Sequence, residues 1–151
     1  MTAVEEALLR FHASLLAPPA RVFEALTRAE HLSRWFCDEA ESDPRAGGRV
    51  VFRWRRPESS EHPFAGEWSV FEPVARCGFT GGHPGYPDGN AGRIEFVLEP
   101  SGTGTTLIAT HALPARVEYA TVAQTYTLAW PRALGRLADY LEPRERTGAS
   151  A

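Results

Sequence analysis

A long apolar stripe near the C-terminus constrains the fold of this chain more than any other feature of its sequence. Between residues 118 and 142, apolar and aromatic side chains recur every three or four positions, which is the spacing of one face of an α-helix. The stripe consists of Tyr119, Val122, Tyr126, Trp130, Leu134, Leu137 and Leu141. Because a helix buries such a face against another layer of its domain, the preceding sequence has to supply that layer.

Pro131 lies in the middle of this stripe. A proline inside a helix removes one backbone hydrogen bond and crowds the carbonyl of the preceding turn, at a cost of about 3 kcal/mol. The sequence therefore predicts either a kink around residues 127–130 or two abutting helices.

The layer that covers the stripe is predicted to be a sheet. In residues 93–99, Ile94, Phe96 and Leu98 alternate with polar side chains, which indicates a strand with one packed face and one exposed face. Such alternation is typical of antiparallel sheets. Strands are predicted at residues 8–17, 49–55, 64–71, 74–80, 93–99 and 105–112.

Two short helices are predicted between the first strand and the rest of the sheet. Pro18 and Pro19 end the first strand, and proline is well accommodated in the first turn of a helix. Helical spacing of apolar residues then covers residues 19–27 and 29–36. The order predicts an α+β fold in which a curved antiparallel sheet of about six strands wraps around one long C-terminal helix. Residues 1–143 form the predicted single domain, and residues 144–151 a disordered tail.

Composition and charge exclude several classes of partner. The net charge is -3 and no basic cluster stands out, which argues against a nucleic-acid partner. No segment approaches the roughly 18 apolar residues of a membrane span. Glu5 and Glu6 lie where a signal peptide would be basic, so we expect a cytoplasmic protein. Cys37 and Cys77 are far apart and are expected to be reduced, partly buried thiols.

Four stretches of the chain resemble a known family. Residues 17–27 resemble its opening strand-to-helix passage, and residues 30–36 its second helix, which ends in two aromatic side chains. Residues 102–111 resemble its last hairpin, and residues 128–141 its closing helix around Trp130. These stretches are similar to bacterial homologues of the Hsp90 ATPase activator domain, within the START and Bet v 1-like (SRPBCC) superfamily. The resemblance implies a helix-grip fold.

Function is less constrained by this resemblance, because fold alone does not determine activity. The superfamily includes lipid carriers, hormone receptors, aromatic polyketide cyclases and co-chaperone domains. The sequence departs from the family pattern at residues 83–90, a Gly/Pro-rich insert where many relatives turn tightly. The insert and its flanks, residues 81–92, are predicted to be either a lid at a cavity mouth or an ordinary hairpin loop.

Candidate ligand-binding residues are the aromatic side chains expected to face the concave side of the sheet, together with one histidine. The same side chains could instead fill the core, because bulky aromatics usually occupy the space they line. His111 is either a polar anchor or base for a ligand, or a histidine bonded to a backbone carbonyl. Trp35 and Phe36 are expected to be core. The candidates are Trp54, Trp68, Phe79, Phe96, His111, Tyr119, Tyr126 and Trp130.

Charged groups give no sign of a metal or cofactor. No histidine or carboxylate spacing matches a metal site, and no phosphate loop or dinucleotide fingerprint is present, so neither metal nor cofactor is predicted. The acidic residues at 38–43 are expected to form a solvated loop. Arg53, Arg55 and Arg56 could contact an anion, but a solvated face neutralised by Glu58, Glu61 and Glu67 is expected instead.

Three functions are consistent with these observations. The leading hypothesis is a binding module for a small apolar or aromatic molecule, since no catalytic residues are evident. The first alternative is an enzyme similar to polyketide cyclases, with His111 and Tyr126 as the pair to test. The second is a partner of an Hsp90-type chaperone, which rests on family analogy alone. A homodimer is left open.

Overall fold

The computed structural model describes residues 6–55 and 63–142 of the chain. The predicted domain end at residue 143 and the predicted tail at residues 144–151 lie outside the described residues. The strands are β1 (Glu6–Leu15), β2 (Glu39–Ser42), β3 (Arg49–Arg53), β4 (Phe64–Glu72), β5 (Arg76–Gly82), β6 (Arg93–Ser101) and β7 (Gly104–Pro114). The α-helices are α1 (Pro19–Thr27), α2 (Ala29–Trp35) and α3 (Ala120–Leu141). Short 3₁₀ turns cover Pro87–Gly89 and Val117–Tyr119.

All strands of the described chain belong to one antiparallel sheet in the order β1-β7-β6-β5-β4-β3-β2. This arrangement, with the long helix α3 and the two short helices after β1, confirms the predicted α+β helix-grip class. The sheet has seven strands rather than about six. The additional strand is β2, within the acidic segment that was predicted as a solvated loop. Its sequence Glu-Ala-Glu-Ser has no bulky apolar residue, so only its pairing with β3 identifies it as a strand.

Close contact between β4 and β5 depends on glycine. A Cβ atom on Gly66 would lie 1.7 Å from the carbonyl oxygen of Thr80, and one on Gly81 would lie 2.3 Å from that of Ala65. Gly81 also has a φ of +151°, which L-residues rarely adopt. The register shifts between Trp68 and Val70, further along the same strand pair. Such irregularities increase bending, so β4 and β5 help to curve the sheet.

The helix α3 runs through Pro131 as one element, so the alternative of two abutting helices is wrong. Upstream of the proline, the hydroxyl of Thr127 donates to the carbonyl of Ala123 at 2.8 Å, and that of Thr125 to Thr121 at 3.0 Å. The helix starts at Ala120 rather than Glu118, because residues 117–119 form a 3₁₀ turn. The second half of the stripe, Leu134, Leu137 and Leu141, is buried in the core as its spacing predicts.

The short helices close one end of the sheet. The indole N–H of Trp35, at the end of α2, donates to the carbonyl of Ala25 in α1 at 2.8 Å. Arg136 of α3 reaches the same corner, where its Nε donates to the carbonyl of Trp35 at 2.9 Å. Trp35 is therefore core, as predicted. No helix among residues 6–55 and 63–142 is long and apolar enough to cross a membrane.

Candidate functional site

A cavity of about 470 Å³ lies between the concave face of the sheet and the middle of α3, from Tyr126 to Arg136. Strands β2 to β6, the end of α2 and the insert after β5 contribute to its wall. The lining residues are Phe36, Glu39, Phe52, Arg53, Trp54, Arg55, Pro63, Phe64, Phe79, His83, Tyr86, Ile94, Tyr126, Ala129, Trp130, Ala133 and Arg136.

Phe36 is the centre of the aromatic wall. Its ring lies 5.0 Å from Phe52 and 5.4 Å from Trp54, both edge to face, and 6.0 Å from Trp130 in a stacked arrangement. The backbone carbonyl of Phe36 accepts a hydrogen bond of 2.9 Å from the Trp54 indole. Since these rings pack around the cavity and fix one another, they form its wall without filling it. Phe36 was expected to be core alone; it contacts the core and also lines the cavity.

Two tyrosine hydroxyls form a polar end to the cavity. Tyr126 of α3 and Tyr86 of the insert share a hydrogen bond of 2.5 Å between their hydroxyl oxygens. Burial raises the pKa of Tyr126 far above its ordinary value, and the neighbouring Tyr86 contributes further. The Tyr126 phenol is therefore neutral at physiological pH, and a tyrosine hydroxyl can both donate and accept hydrogen bonds.

The insert that carries Tyr86 is fastened to the rest of the domain. The Tyr119 hydroxyl lies 2.9 Å from the carbonyl oxygens of both Pro87 and Asn90. Arg116 forms an ion pair with Asp88 at 3.0 Å. The insert thus forms part of the cavity wall through His83 and Tyr86, and its interpretation as a lid or an ordinary hairpin loop stays a prediction.

His111 lies beside the cavity but does not line it. Its side chain is buried; Nε2 lies 2.6 Å from the carbonyl oxygen of Ala91, and Nδ1 accepts a hydrogen bond of 3.0 Å from the Trp130 indole. Because Ala91 can only accept and Trp130 can only donate, the imidazole is held neutral with its proton on Nε2. Burial lowers the pKa of His111 to about 4, partly offset by the bond to Ala91. Both ring nitrogens of His111 are thus engaged in hydrogen bonds within the protein.

The opposite end of the cavity is charged. Arg53, Arg55 and Arg136 line it together with Glu39, which is paired with Arg55. The backbone N–H of Arg55 donates to Asp38 at 2.6 Å. Arg53 and Arg55 are exposed, as expected of a solvated face, and both also border the cavity. Arg56, Glu58 and Glu61 lie outside the described residues.

Half of the predicted ligand-binding residues line the cavity, namely Trp54, Phe79, Tyr126 and Trp130. The other four are Trp68, Phe96, His111 and Tyr119, which the structure places outside the lining. The Trp68 indole donates to the Ser42 hydroxyl at 3.0 Å, toward the α1 end of the sheet. Phe96 packs edge to face on Trp130 at 5.8 Å. Alternation along each strand identified which face of the sheet a side chain occupies, but not where along the strand the cavity lies.

Several lining residues gave no usable sequence signal. Tyr86 and His83 lie in the insert, whose path no local pattern fixes. Arg136 lies on α3 four helical positions beyond Arg132 but on the cavity side of the apolar stripe. Its distance of seven residues from Ala129 could have suggested a shared helix face, because seven residues are close to two helical turns.

Neither a metal cluster nor a reactive thiol is found among the described residues. They contain no group of three or more His, Cys, Asp or Glu side chains arranged to hold a metal ion. Both cysteines are buried; burial raises the pKa of Cys37 to about 12 and that of Cys77 further, so neither is a thiolate near neutral pH.

Similarity to known proteins agrees with the fold. The sequence model of the family described as Activator of Hsp90 ATPase homolog 1-like protein matches residues 16–142. No curated protein sequence matches the chain.

Solved structures share the architecture at low sequence identity. MLL2253 from Mesorhizobium loti is 19% identical with a TM-score of 0.76, over 89% of this chain and 96% of that chain. Aha1 from Colwellia psychrerythraea, solved in solution as a dimer, is 19% identical with a TM-score of 0.74, over 90% and 96%. DynU16, from the dynemicin biosynthetic locus, is 22% identical with a TM-score of 0.69, over 89% of this chain and 46% of that chain. At these identities the likeness establishes the fold.

Proposed function

The chain belongs to the Activator of Hsp90 ATPase homolog 1-like family, and we propose that it binds one small molecule with an apolar or aromatic body, without covalent chemistry. The observation that carries this proposal is the aromatic cavity of about 470 Å³ between the sheet and α3. That volume lies within the roughly 300–1,000 Å³ typical of ligand pockets.

The wall of the cavity suits such a ligand. Its apolar part is built from rings that hold one another in place, so little side-chain freedom is lost when a ligand enters. Burying about 200 Å² of apolar ligand surface would contribute roughly 5 kcal/mol at 25 cal/mol per Å². The few polar groups, at the two ends, would orient the molecule.

The polar groups at the site favour binding over catalysis. His111, the predicted base, has both nitrogens engaged by Ala91 and Trp130. The Glu39 carboxylate is paired with Arg55. Among the described lining residues this leaves tyrosine phenols, guanidinium groups and His83, whose Nδ1 accepts a hydrogen bond of 2.9 Å from the backbone N–H of Gly85. Phenols and guanidinium groups recognise ligands more readily than they transfer protons at neutral pH.

Filling the cavity tests the proposal. Ala129 lines the wall on α3, and Ala129→Phe would place a ring inside the space a ligand needs. Gln124→Phe adds the same ring at an exposed position of the same helix and is the matched control. The probe is N-phenylnaphthylamine, a neutral dye that fluoresces in apolar pockets. We expect saturable binding by the wild type and the control and at least a tenfold loss in Ala129→Phe. Equal binding by all three, or none by the wild type, would contradict the proposal.

The enzyme alternative rests on a different observation. The structural neighbour DynU16 belongs to a biosynthetic locus, and the Tyr86–Tyr126 pair could hydrogen-bond a carbonyl of a reactive chain held in the cavity. His111 and Tyr126 are the catalytic pair that the sequence suggests for this alternative, and the centroids of their rings are 4.3 Å apart. If this alternative holds, purified protein will turn over a polyketide-like substrate and Tyr126→Phe will slow that turnover. Unchanged turnover in Tyr126→Phe would remove the assignment.

The chaperone and dimer alternatives rest on relatives. The family description names the Hsp90 ATPase activator, and Aha1 from Colwellia psychrerythraea is a dimer. Co-purification with a bacterial Hsp90 and sedimentation of the isolated chain test the two points separately. The cytoplasmic location stays a prediction.

A further inference from the structure

We propose that the ligand of this cavity is an elongated monoanion, with its acidic group between Arg53 and Arg136 and a neutral polar group against the Tyr86–Tyr126 pair. This inference rests on the proposed function and adds the chemical class and the orientation of the ligand. Its two supports are the separation of the two polar ends and the charge at the mouth.

The helix α3 provides the measure of length. Tyr126, Ala129, Trp130, Ala133 and Arg136 all line the cavity and lie on one face of the helix. Ten residues separate Tyr126 from Arg136, which at 1.5 Å per residue is about 15 Å along the helix axis. The phenols and the arginines are therefore at opposite ends, and the aromatic rings occupy the interval. A ligand that reaches both must be long rather than round.

The arginine end carries an unmatched positive charge among the described residues. Arg53, Arg55 and Arg136 contribute three guanidinium groups, while Glu39 and Asp38 contribute two carboxylates. Glu39 is engaged by the Arg55 guanidinium, and Asp38 by the Arg55 backbone N–H. A single carboxylate or sulfonate would balance the remaining charge.

Arg53 and Arg136 are the side chains that can meet this anion. Arg136 uses Nε to bind the Trp35 carbonyl, a bond that directs the side chain toward the cavity mouth and leaves its terminal nitrogens for a ligand. Neither Arg53 nor Arg136 forms an ion pair with a described carboxylate. Guanidinium groups present paired N–H donors that match the oxygens of a carboxylate.

The tyrosine end selects a neutral group. One hydroxyl hydrogen is used between Tyr86 and Tyr126, which leaves the second hydroxyl hydrogen and the remaining lone pairs for a ligand. Burial disfavours a charge at this end, since the pKa of Tyr126 is already raised by desolvation. A hydroxyl or carbonyl on the ligand fits the two phenols, beside which the His83 ring packs on Tyr86 at 4.2 Å.

A matched pair of dyes tests the charged end. Anilinonaphthalene sulfonate has the ring system of N-phenylnaphthylamine with one added sulfonate. We expect the wild type to bind the sulfonate at least tenfold more tightly than the neutral dye at low salt. The double variant Arg53→Gln, Arg136→Gln should lose about tenfold for the sulfonate and stay within twofold for the neutral dye. Arg132→Gln, an exposed arginine one helical turn before Arg136, is the control and should change neither.

The outcomes separate this inference from the proposed function. If the wild type binds the neutral dye but gains nothing from the sulfonate, or if Arg132→Gln weakens the sulfonate as much as the double variant, the charged-end assignment is overturned while ligand binding stands. If neither dye binds, the proposed function fails, and this inference with it.

A second pair of probes tests the orientation. Biphenyl carboxylate is compared with its derivative that carries a hydroxyl at the far para position, each by displacement of the sulfonate dye. The hydroxyl should tighten binding by the wild type about fivefold, in line with one added hydrogen bond, and this gain should vanish in Tyr126→Phe. A gain that persists in Tyr126→Phe would overturn the placement of the neutral end.

Discussion

Acid should destabilise this protein through His111, and the size of the effect follows from its surroundings. Burial lowers the pKa of His111 from an ordinary 6.5 to about 4 in the folded chain. Below pH 6.5 the histidine is protonated in the unfolded chain but stays neutral in the folded chain. Stability therefore decreases as the pH is lowered, and the loss is complete near pH 4. At 1.36 kcal/mol per pKa unit, the total is about 3 kcal/mol.

The structural reason is the pair of hydrogen bonds on the imidazole. A protonated His111 would direct an Nδ1–H at the indole N–H of Trp130, which can only donate. Protonation therefore breaks the link between β7 and α3 and places a charge in the core. The bond to the Ala91 carbonyl, which opposes the lowering of the pKa, does not compensate.

Urea unfolding of the wild type and His111→Gln at about pH 7 and about pH 4.5 measures this contribution. The variant should be less stable at pH 7 by about 1–3 kcal/mol, because two buried hydrogen bonds are weakened. Between about pH 7 and about pH 4.5, the free energy of unfolding of the variant should fall by about 2–3 kcal/mol less than that of the wild type. Val50→Ala, at a fully buried position away from the histidine, serves as the control: it should lower stability and keep the wild-type pH dependence. Parallel losses in wild type and His111→Gln would refute the reasoning.

Two further predictions concern the sheet and the thiols. Gly66→Ala would place a methyl group 1.7 Å from the Thr80 carbonyl and should cost at least about 2 kcal/mol, whereas Gly135→Ala, in open space on α3, should raise stability by roughly 0.5–1 kcal/mol. Chemical denaturation distinguishes the two, and a tolerated Gly66→Ala would show that β4 and β5 do not need this approach. Cys37 and Cys77, both buried with raised pKa values, should react with a disulfide reagent at about pH 8 only at the rate of unfolding. Rapid labelling of the native chain would contradict their placement.

Much of the fold was predictable because its elements are marked by local periodicity. The alternation at Ile94, Phe96 and Leu98 predicted β6, and the pair Pro18 and Pro19 predicted where α1 begins. Where no such pattern existed the prediction failed: β2 has an acidic sequence and becomes a strand only by pairing with β3. The strand predicted at residues 74–80 begins instead at Arg76, because Val74 lies in a turn with a φ of +71°.

The cavity was less predictable than the fold. Alternation shows which side chains share a face of a strand, so it selected Phe79 and Trp54 as inward-facing residues. The same reasoning selected Trp68, which faces inward but is fixed to Ser42 away from the cavity. Whether an inward-facing side chain reaches the cavity depends on how the neighbouring strands and helices pack. The alternation within a single strand carries no information about that packing.

The sequence by itself determined that a long amphipathic helix would be covered by a curved antiparallel sheet. The spacing of apolar residues distinguishes a helix from a strand, and this spacing can be read from residues close together in the chain. Only the tertiary structure decided that this helix would stay continuous through Pro131 and that residues on both sides of the proline would border a cavity. It also decided that Tyr86 would meet Tyr126 and that Arg53 and Arg136 would line the same cavity. These pairs are 40 and 83 residues apart in the chain, so packing of whole elements, rather than any local preference, brings them together.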